Sequence, residues 1–197
     1  MEAAASEILA YESHQVPDLL QTQGYARAVA DADPNWAGDE QRLHAVEVKL
    51  ARQRVVLAER RPRLEFVITE AALHQVVGGS DVMRPQLDRL ASLAAGAGAA
   101  GETGATGVTG PSVSLQVLPF EAGAYAAAGC GSMAILRFAD TPGLGVIHLA
   151  ALSGGGAGVG LEAAEDVARY IRTFARLRAA ALTAAESARL LREMTRD

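Results

Sequence analysis

The sequence predicts an α/β (α+β) fold, a mixed sheet of about four strands flanked by N-terminal and C-terminal helices. Three observations lead there. Residues 1–62 and 161–197 carry apolar side chains mostly at helical spacing. Residues 63–152 hold four short apolar runs punctuated by Gly, Pro and Asp. A helical stretch separates the first of those runs from the second, the arrangement of a crossover between parallel strands. At 197 residues, half of them hydrophobic, the chain is read as one domain over 1–197.

Taken in order, residues 2–13 read as a short helix that turns Ile8, Leu9 and Tyr11 toward a core. Pro17 suits the first turn of a second helix, with Leu19, Leu20, Tyr25 and Val29 on its apolar side and Gly24 weakening it. The turn "DADPNW" leads to a long helix over 39–60, striped by Leu43, Val46, Leu50 and Leu57. "RLEFVIT" (63–69) is the first expected strand, followed by a short helix "EAALHQVV" that Gly78 and Gly79 end. "DVMRPQLDRLASLAA" is a helix with Pro85 expected in its first turn. "SVSLQVLPF" (112–120), "SMAILRF" (132–138) and "GVIHLAAL" (145–152) are three more strands, the later ones antiparallel because their links are short. Two glycine-rich stretches, 96–111 and 152–160, are expected to be flexible. The last helix opens on Thr183 and Glu186, spaced as a capping box.

Composition excludes several classes. A net charge of −5 argues against nucleic-acid binding by this chain, which needs a clustered basic surface. The one basic run, from Lys49 to Arg63, is diluted by Glu47, Glu59 and Glu65. Cys130 is the sole cysteine, so neither an internal disulfide nor a cysteine-based zinc site can form. The acidic N-terminus has no secretion signal and no apolar run approaches a membrane span, so a cytoplasmic protein is expected.

Chemical signatures are few. No P-loop, dinucleotide fingerprint, nucleophile elbow or HExxH occurs. The histidines (His14, His44, His74, His148) lack partners at metal-ligand spacing, so no metal and no cofactor are expected. Glu70 and His74 share a helical face four residues apart. Cys130 could be a nucleophile only with a base such as His148 beside it; otherwise it is a small buried hydrophobe. Arg52 and Gln53 before the first strand, Glu70 at its end, Tyr125 after the second and His148 in the fourth are the candidate ligand-binding residues, with Cys130 in reserve. The ends of neighbouring strands are where α/β sheets place ligands.

"EILAYESHQVPDLLQTQGYARAV", "RQRVVL", "EFVITEAALHQVVGGSDVMRPQLDRL", "VSLQVLPFEAGAY" and "RYIRTFARLRAAALTAAESARLLRE" occur together in this order. In that respect the chain resembles the domain of unknown function 5753, the C-terminal domain of actinobacterial regulators carrying an XRE-type helix-turn-helix. The resemblance covers nearly the whole chain. It implies transcription regulation in development or secondary metabolism, commonly alongside a small partner protein. The helix-turn-helix is expected to be missing, since the chain starts where the family's domain starts. Asp18 stands where the family has glycine, Tyr125 where it often has histidine, and His148 and Ala150 where it has tyrosine and glutamate.

The function expected is therefore an effector- or protein-binding regulatory domain without a DNA-binding part of its own. Its partners would be a small molecule or a small protein, with a homodimer also allowed. One alternative is a cofactor-independent cyclase or isomerase of specialised metabolism, acting by pocket shape and a few polar groups. Another is a decoy that pairs with full-length regulators.

Overall fold

The computed structural model describes residues 2–35, 38–57, 62–96, 113–129, 131–140, 145–149, 159–161 and 163–196. The α/β class is as expected, and the four anticipated strands are joined by two more. The strands are β1 (Glu7–Glu12), β2 (Arg63–Thr69), β3 (Val113–Leu118), β4 (Met133–Arg137), β5 (Gly145–Leu149) and β6 (Val159–Leu161). They form one mixed sheet in the order β3-β2-β1-β4-β5-β6. β1, β2 and β3 are parallel; β4 runs antiparallel to β1, β5 to β4, and β6 to β5.

The N-terminal helix expected over residues 2–13 is corrected. Only Glu2–Ala4 form a three-ten turn, and Glu7–Glu12 are the strand that joins the two halves of the sheet. Its four central residues are all buried because β1 is covered on both faces, so the period-two alternation that marks a half-exposed strand is absent. A short apolar run of that kind cannot be told from a helix by periodicity. β6 takes up the end of the 152–160 stretch expected as a link and Leu161, the first residue of the part expected to be helical.

The helices are α1 (Gln23–Ala32), α2 (Asp39–Val56), α3 (Glu70–His74), α4 (Ser80–Ala94), α5 (Ala164–Ala180) and α6 (Ala184–Met194). The helix expected from Pro17 begins later. Asp18–Leu20 make a three-ten turn, and α1 starts only where the Thr22 hydroxyl accepts the Tyr25 N–H. Pro85 stands in the second turn of α4, since that helix begins at Ser80. Along α2, Val46, Gln53 and Val56 are buried, whereas Leu43, expected on the apolar stripe, is half exposed. The capping box of Thr183 and Glu186 is present as expected.

Two cores result. On one face Ile8, Leu64, Phe66, Ile68, Leu115 and Val117 meet Leu20, Tyr25, Leu87, Leu90 and Leu191, from the segments around α1, α4 and α6. On the other, Leu9, Tyr11, Val67, Ile135 and Ile147 meet Val167, Phe174 and Leu177 of α5. The Arg178 guanidinium seats α5 by donating to buried Glu65 at 2.7 Å. The outer edge of β3 is not left bare. Leu182 N donates to Val117 O, and Val117 N donates to Ser187 Oγ, so the segment leading into α6 takes the place of a further strand.

Candidate functional site

The parallel strands β1, β2 and β3 end at the same edge of the sheet, where β4 begins. β1 is the junction, with a parallel neighbour on one side and an antiparallel one on the other. Its last residue is Glu12. Ile8 and Ala10 precede it at intervals of two, so the Glu12 side chain leaves the sheet on the face that α1 and α4 cover. Burial raises its carboxyl from an ordinary 4.5 to about 7. The Ser132 hydroxyl beside it opposes that rise by hydrogen bonding, and the charge of Asp18 adds to it. No Lys, Arg or His among the described residues forms an ion pair with Glu12.

Around that carboxyl the backbone is held by short polar side chains. Ser132 Oγ accepts the Ser13 N–H at 3.3 Å, and Thr69 Oγ1 donates to Ser13 O at 2.9 Å, tying the end of β1 to both neighbouring strands. Tyr25 is fully buried and its hydroxyl accepts the Val16 N–H at 3.3 Å. Burial pushes the acidity of that hydroxyl weaker; the Val16 bond opposes this and the Glu12 charge reinforces it. Beyond Glu12 the chain turns through Ser13–Gln15 along an open groove of about 420 Å³, walled by His14, Val29, Asp33, Val76 and Gly78. Ser13 Oγ and His14 Nδ1 are 2.6 Å apart at its rim.

Three buried glutamines immobilise the segment between β1 and α1. Gln21 donates to Val16 O at 2.8 Å and accepts from Lys49 Nζ at 3.0 Å. Gln86 accepts the Thr22 N–H at 2.6 Å and donates to Leu20 O at 2.9 Å. Gln53 donates to the carbonyls of Asp18 and Gln21. Loop backbone here is buried away from water, and these amides supply the partners it would otherwise lack.

Against that frame the candidates separate. Gln53 belongs to the loop clamp. Its neighbour Arg52, at the same three-ten turn, is half exposed and makes ion pairs with Glu2 and Asp18, the Glu2 bond holding the guanidinium more basic than usual. Glu70 begins α3 and accepts the Phe120 N–H at 2.8 Å, with His74 Nε2 at 3.4 Å from its other oxygen and the His74 ring against Phe120. Tyr125 lies on the opposite face of the sheet, within hydrogen-bond distance of the Tyr11 hydroxyl at 3.1 Å. His148 pairs with Ala134 in the register of β4 and β5, two strands from Ala10 and on the Glu12 face. Cys130 lies outside the described residues. Arg52 and Gln53 are thus brought together, as are Glu70 and the end of β3, but the five do not converge on one pocket.

Glu12 is hidden in the sequence because residues 2–13 look helical, and on a helix an acid after an apolar run is an ordinary solvated residue. As a strand, "EILAYE" ends with a carboxylate at the sheet edge, and that pattern is the usable signal. Gln86 was legible in another way, since it occupies the apolar stripe Met83–Leu87–Leu90–Ala94 of α4.

Among the described residues no group of three His, Cys, Asp or Glu side chains is arranged to hold a metal ion. No helix among them is long and apolar enough to cross a membrane. A family model described as "Domain of unknown function (DUF5753)" matches residues 1–99 and 105–193. Searches of curated proteins and of solved structures returned no match.

Proposed function

The chain belongs to the DUF5753 family, and from that premise we propose that it is an effector-binding regulatory domain whose ligand presents a positively charged group to Glu12. The resemblance to the C-terminal domains of XRE-type regulators supplies the regulatory half of this reading. Glu12 supplies the rest. A carboxyl that burial makes titrate near neutrality, at the mouth of the parallel strands and with no ion-pair partner among the described residues, has the most to gain from an incoming cation. An ammonium or guanidinium docked there would restore the charged form, which the Ser132 hydroxyl already favours by hydrogen bonding.

The test is native mass spectrometry of the protein incubated with extracts of a metabolite-producing actinobacterium, at pH 7.5. The expected result is a stoichiometric adduct with a basic small molecule, weakened at least about tenfold in Glu12→Gln. An adduct retained equally by Glu12→Gln, or capture of protein partners alone, would overturn the reading.

A second reading has an observation in its favour. A carboxyl that titrates near 7 is also suited to general acid–base catalysis. An enzyme of that kind would consume a substrate over time at sub-stoichiometric protein, whereas an effector site only retains its ligand.

A further inference from the structure

The helix α2 has two apolar faces, and the core uses only one. Val46, Gln53 and Val56 point inward, with Leu50 packed beside Val46 against Ala26 and Ala30 of α1. On the opposite side His44, Val48, Ala51 and Val55 succeed one another at intervals of four, three and four, a continuous stripe. All four are exposed, Val48 to 53% and Val55 to 52%. Valine is among the poorer helix formers, so neither propensity nor solubility accounts for two of them on a solvent face.

We infer that this stripe is the seat of a second copy of the chain, packed as an antiparallel helix pair about a twofold axis. The flanking charges favour that occupant. Glu47 and Arg54 lie two turns apart on the same flank of the stripe, both exposed, and neither makes an ion pair among the described residues. In an antiparallel pair the flank that precedes the apolar stripe on one helix meets the same flank of the other. A twofold axis between positions 49 and 50 sets Val48 against Ala51 of the second copy and His44 against Val55. The same operation brings Glu47 opposite Arg54 of the second copy, twice by symmetry. In a parallel pair the flanking positions that meet come from opposite sides of the stripe, and Glu47 would find no Arg54. The other flank holds Ala45 and Arg52, the latter engaged with Glu2 and Asp18, so no like charges collide there. Small Ala51 in the centre lets the two backbones approach.

A single helix pair buries less than the roughly 1,200 Å² of a firm interface, so the dimer is a concentration-dependent one. Sedimentation equilibrium of the full chain over about 1–500 μM tests it, spanning the range expected for an interface of this size. A monomer–dimer equilibrium is expected, with dimerisation about tenfold weaker in either Glu47→Arg or Arg54→Glu, since each single reversal sets like charges together at two places. The double variant Glu47→Arg/Arg54→Glu restores both pairs and should recover the wild-type association. Circular dichroism of each variant confirms that these surface changes leave the fold intact. A chain that stays monomeric throughout overturns the inference and leaves the stripe to a different protein. A dimer indifferent to the reversals, or not recovered by the double variant, overturns this interface.

Discussion

A buried carboxylate and a buried amide put the same question to the fold, whether the water each has lost is replaced, and Glu12 and Gln86 receive opposite answers. Gln86 donates and accepts one bond each, both with main chain that would otherwise be bare. Glu12 has the Ser132 hydroxyl but no ion-pair partner among the described residues, and its carboxyl rises to about 7. The consequence for stability has a definite sign. In the unfolded chain the group ionises near 4.5, so between there and pH 7 the unfolded state loses a proton that the native state keeps. The native state is therefore unpenalised below about 4.5 and progressively disfavoured as pH rises through 7. Glu12→Gln keeps the size and hydrogen-bonding capacity and removes the titration. It should match wild type in urea unfolding at pH 4 and exceed it by about 1–3 kcal/mol at pH 8. An advantage of equal size at both values would mean that the effect is packing and not charge.

At the scale of elements, α1 and the turn after α3 show how one residue type acts in two ways. Gly24 sits exposed in the first turn of α1, and a methyl group there would meet only Val82, at 3.9 Å. Gly24→Ala should raise stability by about 0.5–1 kcal/mol through helix propensity. Gly78 has a φ of +68°, and a Cβ there would lie 2.7 Å from the Ala28 Cβ and 2.9 Å from a Val82 methyl. Gly78→Ala should cost about 2–4 kcal/mol, combining left-handed strain with overlap between α1 and α4. Thermal unfolding of the two variants reads both signs, and a shift in the same direction for both would refute the contrast. Gly78 and Gly79 are expected to end the helix that begins at Glu70, but α3 stops earlier, at His74, and Gly79 instead caps the start of α4; that Gly78 lets α1 approach α4 is not legible in the sequence. The same division holds for the elements themselves. α4, α6, β2 and β4 declare themselves because each has its own periodicity, cap or punctuation. β1 does not, because what makes "EILAYE" a strand is pairing with residues 63–68 and 133–137, which no local pattern encodes. The candidate site suffered from the same locality. Arg52 and Gln53 were recognisable as polar residues on a helix, but whether they face a ligand or the 18–21 backbone depends on where β1 sends the chain. With β1 misread, Glu12 could not be found.

At the scale of the whole molecule, the sheet is closed at one edge by residues that lie last in sequence. Leu182 N and Ser187 Oγ satisfy the outer side of Val117, Gln116 Nε2 donates to Leu182 O at 2.7 Å, and Ala188 and Leu191 complete the core with α4. Removing residues 182–197 would thus do more than shorten the chain. It would uncover the apolar face of α4 and Leu115, and would turn β3 into an edge strand with free main-chain groups, a template for intermolecular pairing. The truncated chain is expected to lose near-UV circular dichroism, bind a hydrophobic dye and elute as aggregates. A milder variant separates the edge from the core. Ser187→Ala removes the acceptor of the buried Val117 N–H, together with the long 3.5 Å bond that the hydroxyl donates to Leu182 O, and should cost about 1–3 kcal/mol while unfolding remains cooperative. If the truncated chain instead stayed free of aggregates and unfolded cooperatively, the core would be self-sufficient without α6. The closure of the β3 edge would then be an accessory of the fold and not one of its conditions.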